Sequence, residues 1–404
     1  MTSGKGTAGH QTDTLASTSV TLWLLLALFG LGLASLLYGL NSESNRPDFA
    51  LFTVSLLFLM GISQAGVVFC AITRLVRAQW AKPYYRLAEL STLAFSPFAL
   101  LGLLLIVGYG REELFYWVTP ADGAHLSPWL NSHWLLIRNL VALLLFYGLS
   151  VVYIFKGLKP DLRNTAASTI TTADHRRLER DLYRLSPLVL LAFVLCNTLL
   201  AWDFAMMLIP HWHSTVFPIY FWFGNLFAGS AALIAFPAIL GAARAPHSIW
   251  QPPQIANLGM LITSFTLMWL YFFWSQFFVV WFGNLPHESQ PLWRQMYGHY
   301  APYYWTMMAG CFFVPFVGFL FAAVKRSLLA MCVIGAGINL GIWLNKYLMV
   351  MPVFSADNQP FVHWLDISVS AGLLAGFLAV LIILARYFPI YAYWEIDLKP
   401  EERG

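Results

Sequence analysis

The stretch Leu199-Leu-Ala-Trp-Asp-Phe-Ala-Met-Met-Leu-Ile-Pro-His-Trp-His-Ser-Thr-Val-Phe-Pro-Ile-Tyr-Phe221 sets the terms on which this chain can fold. A carboxylate, Asp203, sits inside an apolar run that begins near Pro187. Ile209-Pro210 ends that run, and a short polar turn leads into a second one. Proline removes a helical N–H and clashes with the turn before it, so two apolar helices joined by a turn are predicted. A charged side chain at bilayer depth costs about 3 kcal/mol even on lenient insertion scales. Asp203 is therefore either a functional group or one close enough to the helix end to reach water or a basic neighbour.

The rest of the chain repeats this pattern. Of 404 residues, 59% are hydrophobic and 10% are charged, against roughly 25% charged in a soluble domain. Only a membrane can bury such a composition, and in hydrocarbon the backbone must satisfy its own hydrogen bonds. The fold class is an all-α polytopic membrane protein. The net charge of +4 follows from loop topology and points to no nucleic-acid partner. Cys70, Cys196, Cys311 and Cys332 all fall in apolar runs without a Cys-x-x-Cys pair, and read as small core residues. Residues 1–19 are small and polar and run directly into a full-length apolar segment, so they read as a cytoplasmic tail and not a cleaved signal peptide.

A spanning helix needs about 20 apolar residues. Ten such segments are predicted, at about 20–40, 50–74, 87–109, 134–156, 186–209, 214–242, 255–283, 303–324, 328–353 and 364–388. The organisation is a tail over 1–19, one ten-helix domain over 20–388 and a cytoplasmic tail over 389–404. Helices 2–5 occupy about 50–209 and helices 6–9 about 214–353. Connections two, four, six and eight hold Arg74, Arg77, Lys82, Arg86, Lys156, Lys159, Arg163, Arg176, Arg177, Arg180, Arg184, Arg244, Lys325 and Arg326; the other connections hold Arg46, Arg111 and Arg294. The positive-inside rule places the former, and both termini, in the cytoplasm. The opposite loops carry Pro and Trp, as in Tyr116-Trp117 and Pro291-Leu-Trp293, and read as interfacial structure or a docking surface. Asp174-His-Arg-Arg-Leu-Glu-Arg-Asp-Leu-Tyr-Arg184 is predicted as a separate amphipathic helix on the cytoplasmic face, capped by Thr172 or Asp174.

Few ionisable residues lie in or at the edges of the spans. Depth puts Glu89 near the inner face, and Arg138, Asp203, Lys346 and Asp366 in the outer half. Opposite charges in one layer lower each other's burial cost, so the expected pairs are Arg138–Asp203 and Lys346–Asp366. They read either as struts between helices or as a proton path. All ten histidines (His10, His125, His133, His175, His211, His213, His247, His287, His299, His363) lie in tails, loops or span ends, so no pair of mid-helix haem ligands is available. His211-Trp-His213 is a weak metal signal, and no metal site is expected. There is no phosphate-cradling Gly loop and no nucleophile elbow. No tightly bound cofactor is expected.

Five further segments occur together: Ala78-Gln-Trp-Ala-Lys-Pro-Tyr-Tyr-Arg-Leu-Ala-Glu89; Trp129-Leu-Asn…Arg138; Trp202-Asp-Phe…Pro210-His-Trp-His-Ser-Thr-Val-Phe217; Phe273-Trp-Ser-Gln-Phe…Trp281-Phe-Gly-Asn-Leu-Pro286; and Trp343-Leu-Asn-Lys-Tyr-Leu-Met-Val-Met-Pro352. In this order they resemble the polysulfide-reductase-type (NrfD-like) membrane subunits. The likeness is greatest to the second such subunit of alternative complex III, the quinol:cytochrome c oxidoreductase of bacterial inner membranes. The resemblance covers about residues 50 to 370. It implies two four-helix bundles flanked by spans 1 and 10. It also implies three partners: an iron–sulfur subunit, a multihaem cytochrome c subunit and a sister membrane subunit of the same type. Quinol is the implied substrate, and Asp203, Arg138, Glu89 and Lys346 match polar motif positions. One departure stands out. Quinol-binding members carry a Gly-His-Ala-Gly stretch where this chain reads Ile62-Ser-Gln-Ala-Gly66. Gln64 can hydrogen-bond a quinone carbonyl but cannot take up a proton as His can. The resemblance then implies support for assembly or proton conduction beside a sister subunit that oxidises quinol. Two readings from other classes stand beside it: a secondary transporter built of two bundles, with Pro97, Pro218, Pro237 and Pro315 inside spans, and a purely structural anchor.

The charge bias yields a direct test. In a cysteine-free background, cysteines at Ser168 and Ser289 should react with an impermeant thiol reagent from opposite sides of the membrane. Labelling of both from the outside would overturn the orientation.

Overall fold

In hydrocarbon a chain without strand patterning has helices as its one way to pair its backbone groups. The computed structural model describes residues 6–42, 48–119, 127–163, 171–210, 212–240, 251–354 and 364–396. Ten helical runs among these residues are long and apolar enough to cross a membrane, and no strand occurs among them.

The first span lies in α1 (Gly6–Asn41) and the second is α2 (Phe49–Leu75). The third is composite. Here α3 (Lys82–Leu105) passes through Pro97 unbroken, widens into a π-helical turn at Ile106–Gly110 and finishes in α4 (Arg111–Leu114). Next come α5 (Ser132–Arg163), α6 (Thr172–Phe204), α7 (Phe217–Leu240) and α8 (Pro252–Gly283). The short α9 (Pro286–Met296) precedes a second composite span of α10 (Ala301–Met308), a π-helical turn at Ala309–Phe313, and α11 (Val314–Leu320). The chain then turns through α12 (Ala322–Arg326) into α13 (Leu328–Phe354) and the last span, α14 (Trp364–Tyr387). One further turn, α15 (Tyr393–Ile396), follows. With 32, 33 and 32 residues, α5, α6 and α8 are about 48 Å long. They project beyond a hydrocarbon core of about 30 Å.

One expectation is corrected by α6. Residues 174–184 do not form a separate amphipathic helix; they are the first turns of the fifth span, which runs unbroken through Pro187. The helix is capped one residue earlier than predicted, where Asp174 N–H donates to Thr171 Oγ1 at 3.2 Å. Pro187 is tolerated because the carbonyl it leaves unpaired belongs to Tyr183, which is exposed. The opposite face of the helix, with Leu182 and Ser186, is buried and holds it straight.

Helices α2, α3, α5 and α6 close one ring, with α3 against α2 and α5, and α6 against α5 and α2. Helices α7, α8, α10–α11 and α13 close a second. The rings are joined where α2 meets α7 and α13 meets both; α14 rests on α2 and α3, and α1 on α14. The apolar window of α2 is 94% buried, against 11% for that of α1, so α2 is the axis and α1 faces lipid. Small residues allow this enclosure. Gly229 on α7 sits against Ala65, and Gly66 against the Ala88 carbonyl and the Ser91 and Thr92 hydroxyls. A Cβ at either glycine would collide with those atoms.

The end of α2 is unusual. Arg77 N–H donates to the Arg74 carbonyl at 3.1 Å and Ala78 N–H to the Thr73 carbonyl at 2.8 Å, the pattern of a Schellman cap. Glycine is the usual residue at its left-handed position, yet Arg77 holds it, with φ 55°. A side chain there costs about 1 kcal/mol. Arg74, Arg77, Lys82 and Arg86 share this end of the molecule with the first turns of α6, and it is termed the Arg-rich end below. At the opposite, Trp-rich end, Ser289 is only 6% exposed. The adjacent, exposed Gln290 is thus the better labelling position.

The glycine contacts predict a sharp asymmetry. Gly66→Val should destabilise the protein by about 1–3 kcal/mol through overpacking. Gly148→Ala, inside α5 with nothing within 4 Å of the added Cβ, should cost nothing and, through helix propensity, can raise stability by up to about 1 kcal/mol. Thermal unfolding in detergent, followed by size-exclusion recovery, tests both; equal midpoints would refute the packing argument.

Candidate functional site

The first ring contains polar side chains in three layers. At the Trp-rich end, Asp203 closes α6 with its side chain fully enclosed. Arg138 Nε donates to Asp203 Oδ2 at 2.7 Å and Nη2 donates to Oδ1 at 2.6 Å. The neighbouring Asn139 adds a third donor at 2.5 Å. Arg138 is held in turn by the Trp129 carbonyl at 2.8 Å and lies over the Trp129 ring at 4.3 Å. This is a bidentate, charge-assisted pair, and the expected Arg138–Asp203 pairing is present. Asn139 is a partner the sequence reading missed.

The middle layer is neutral. Asn225 Nδ2 on α7 donates to Asn197 Oδ1 at 2.7 Å, and Asn197 Nδ2 on α6 donates to Gln64 Oε1 at 2.7 Å. Gln64 Nε2 reaches Cys196 Sγ at 3.7 Å. Nearby, the Ser63 and Tyr147 hydroxyls lie 3.2 Å apart, and Thr92 Oγ1 donates to the Ser63 carbonyl at 2.6 Å. Gln64 is fully buried, and both of its amide atoms are engaged by side chains of α6. A survey of charged residues passes over Asn197, Asn225 and Tyr147. The available signal was the presence of amides inside otherwise apolar runs.

The third layer, at the Arg-rich end, is charged. Glu89 is buried on α3 and accepts from Arg86 at 2.6 Å; Arg86 also donates to Asp161 at 2.6 Å and to the Gly157 carbonyl at 3.1 Å. Arg74 pairs with Glu395 at 3.0 Å and donates to the Tyr153 hydroxyl at 3.0 Å. Part of the predicted C-terminal tail is thus folded onto this end, as α15. Trp394 Nε1 donates to the Gly157 carbonyl at 2.9 Å, and its ring meets His175 at 5.2 Å. Three carboxylates, Glu89, Asp161 and Glu395, face two guanidiniums, Arg74 and Arg86, so the cluster holds one more acid than base. The sequence reading found only Glu89 of these three acids. Glu395 is 321 positions from Arg74, and no local pattern announces such a contact.

The second ring resolves the other expected pair differently. Lys346 and Asp366 do not meet. Lys346 Nζ donates to the Phe221 carbonyl at 3.3 Å and sits over the Phe221 ring at 3.0 Å. No carboxylate among the described residues lies at ion-pair distance from it. Asp366 instead accepts the Asp48 N–H at 2.8 Å, joining the start of α14 to the start of α2. Asp48 itself caps α2 through the Ala50 and Leu51 amides. Burial raises the Asp48 carboxyl above its ordinary range, although those amides pull the other way. Depth along the chain put Lys346 and Asp366 in one layer; the direction in which each helix faces separates them. Beside Lys346, the Tyr220 hydroxyl accepts from Asn345, and Gln276 accepts from Ser214 at 2.5 Å. Tyr220, Asn345 and Gln276 border a cavity of about 40 Å³, enough for one or two waters.

Among the described residues no three His, Cys, Asp or Glu gather as a metal site; His211 lies outside those residues. Residues 39–358 match the family model described as Polysulphide reductase, NrfD. No curated protein matches the chain.

The geometry at Asp203 generates a prediction. Asp203→Asn leaves the largely enclosed Arg138 without its counter-charge, which should cost up to about 3 kcal/mol. Monodisperse protein should then be largely lost, while Arg138→Met with Asp203→Leu should restore most of it. A single Asn variant that assembles as well as the parent would show that the pair is no strut.

Proposed function

Because the chain belongs to the polysulphide reductase (NrfD) family, we propose that it is a membrane subunit of a quinol-oxidising respiratory complex of the alternative complex III type. Family members are typically quinone-interacting parts of respiratory complexes with iron–sulfur partners. In this reading the partners are an iron–sulfur subunit, a multihaem cytochrome c subunit and a sister subunit of the same family. The Arg-rich end faces the cytoplasm, and the membrane is the bacterial inner membrane. The chain holds no tightly bound cofactor, and quinol is the substrate of the complex.

The observation that carries the proposal is the polar column through the first ring. It supports proton conduction and assembly, and it weighs against quinol oxidation by this chain. Quinol oxidation releases protons to a base at the site. Gln64, where the His of quinol-binding members would stand, cannot titrate and has its amide occupied by Asn197 and Cys196. The charged layers have the ionisable groups that the middle lacks. Along α6, Asp203 lies six residues from Asn197, about 9 Å; along α2, Gln64 lies ten residues from Arg74, about 15 Å. Waters bridge such gaps where polar groups line them. The transporter reading draws less support, because α3 and α6 run through Pro97 and Pro187 without unwinding, and Pro218 sits in the first turn of α7, where a proline costs no hydrogen bond.

The test is Glu89→Gln in the intact complex. Arg86 keeps Asp161 as a counter-charge, so assembly should persist, and haems should remain reducible from the acceptor side. Protons moved per electron, measured with a pH dye in vesicles, should fall at least twofold. An unchanged ratio would sink the proton-conduction reading.

A further inference from the structure

Between the end of α2 and the first turns of α6 lies a cleft of about 530 Å³ bordered by Arg74, Arg77, Lys82, Arg176, Arg180 and Glu179. Two of its five bases are already paired, Arg74 with Glu395 and Lys82 with Glu179. Arg77, Arg176 and Arg180 have no carboxylate at ion-pair distance among the described residues. Three uncompensated guanidiniums therefore border one concavity, which concentrates positive potential there. Arg77 does so from a left-handed backbone position that glycine fills more easily. Guanidinium groups match the oxygens of a phosphate in pairs, and the Gln79 amide at the cleft edge can add a donor.

We propose that this cleft binds a phosphate-bearing anion, and that the anion is the headgroup of an acidic phospholipid. The surface directly beneath the cleft distinguishes a lipid from a soluble phosphate. Counting along α6 from Arg180, Tyr183, Pro187 and Leu191 fall at i+3, i+7 and i+11 on the same helical face. All three are exposed, Leu191 by 57%. Val76, at the end of α2, is 69% exposed. An apolar face open to the bilayer thus begins where the basic cleft ends, which suits a headgroup with acyl chains attached. Basic pockets between transmembrane helices recognise anionic headgroups in this way. The cleft shares Arg74 with the polar column, but Arg77, Arg176 and Arg180 lie outside that column, and occupancy of the cleft does not depend on the reading of Glu89.

The test uses the full-length protein in nanodiscs of phosphatidylcholine, with and without about 20% phosphatidylglycerol. Retained lipid is read by native mass spectrometry, and stability by thermal unfolding. Phosphatidylglycerol should be retained by the parent protein and should raise its midpoint. Arg77→Gln with Arg176→Gln and Arg180→Gln should lose most of that lipid and the shift. Lys159→Gln with Arg177→Gln and Arg184→Gln removes equal charge from exposed positions outside the cleft and should keep both. Arg77→Gly guards against misfolding: it relaxes the left-handed backbone, so it should retain parental stability in pure phosphatidylcholine yet bind less phosphatidylglycerol. Inorganic phosphate reproducing the shift in pure phosphatidylcholine would uphold the phosphate site and overturn the lipid as its source. Equal lipid retention by the two triple variants would overturn the site.

Discussion

The close approach of α2 and α7, where Ala65 meets Gly229, is the contact on which the rest of the packing depends. Lipid tails are as apolar as leucine, so helices in a bilayer associate through close van der Waals contact and hydrogen bonds. Glycine at this crossing lets the backbones come near enough for both. One turn away along both helices, Gly61 of α2 leaves the space that the Asn225 amide of α7 fills. From there Asn225 reaches Asn197, and Asn197 reaches Gln64. The crossing that joins the two rings therefore also completes the neutral layer of the polar column.

The two rings handle buried charge in different ways. In the first, each guanidinium or carboxylate in the outer layers has a partner of opposite sign. Asp203 is gripped by two adjacent residues of α5, and Arg86 by carboxylates from α3 and α5. Removing Asp203 or Arg138 leaves the other without its counter-charge, whereas Arg86 keeps one carboxylate when the other is removed. In the second ring Lys346 relies on a carbonyl and the face of Phe221. A cation over an aromatic ring gains about 2 kcal/mol when water is excluded.

Both ends of the first ring are closed. At the Trp-rich end Arg138 stitches α5, α6 and the Trp129 loop together. At the Arg-rich end closure depends on α15, a single turn held by Glu395 on Arg74 and by Trp394 on Gly157. A turn this short has little helical stability of its own. Its side-chain contacts, rather than its backbone, keep it in place.

The sequence by itself determined that this is a ten-span helical membrane protein, because composition and apolar run length are local properties that lipid reads directly. It also made Asp203 and Arg138 legible as partners, since each ends or begins a span at the same depth. Pro187 misled at one point: a proline next to charged turns resembles a boundary, but buried packing of Leu182 and Ser186 overrides it. Other decisions belonged to the tertiary structure alone. Position in the chain gives an expected depth but not the side of a helix that faces a given neighbour, so Lys346 meets Phe221 of α7 while Asp366 meets the start of α2. Glu395 joins Arg74, and Asn225 joins Asn197, only because folding brings distant helices together. Polar side chains without charge leave a faint mark on a hydrophobic sequence. Once enclosed, the hydrogen bonds they must find decide which helices touch.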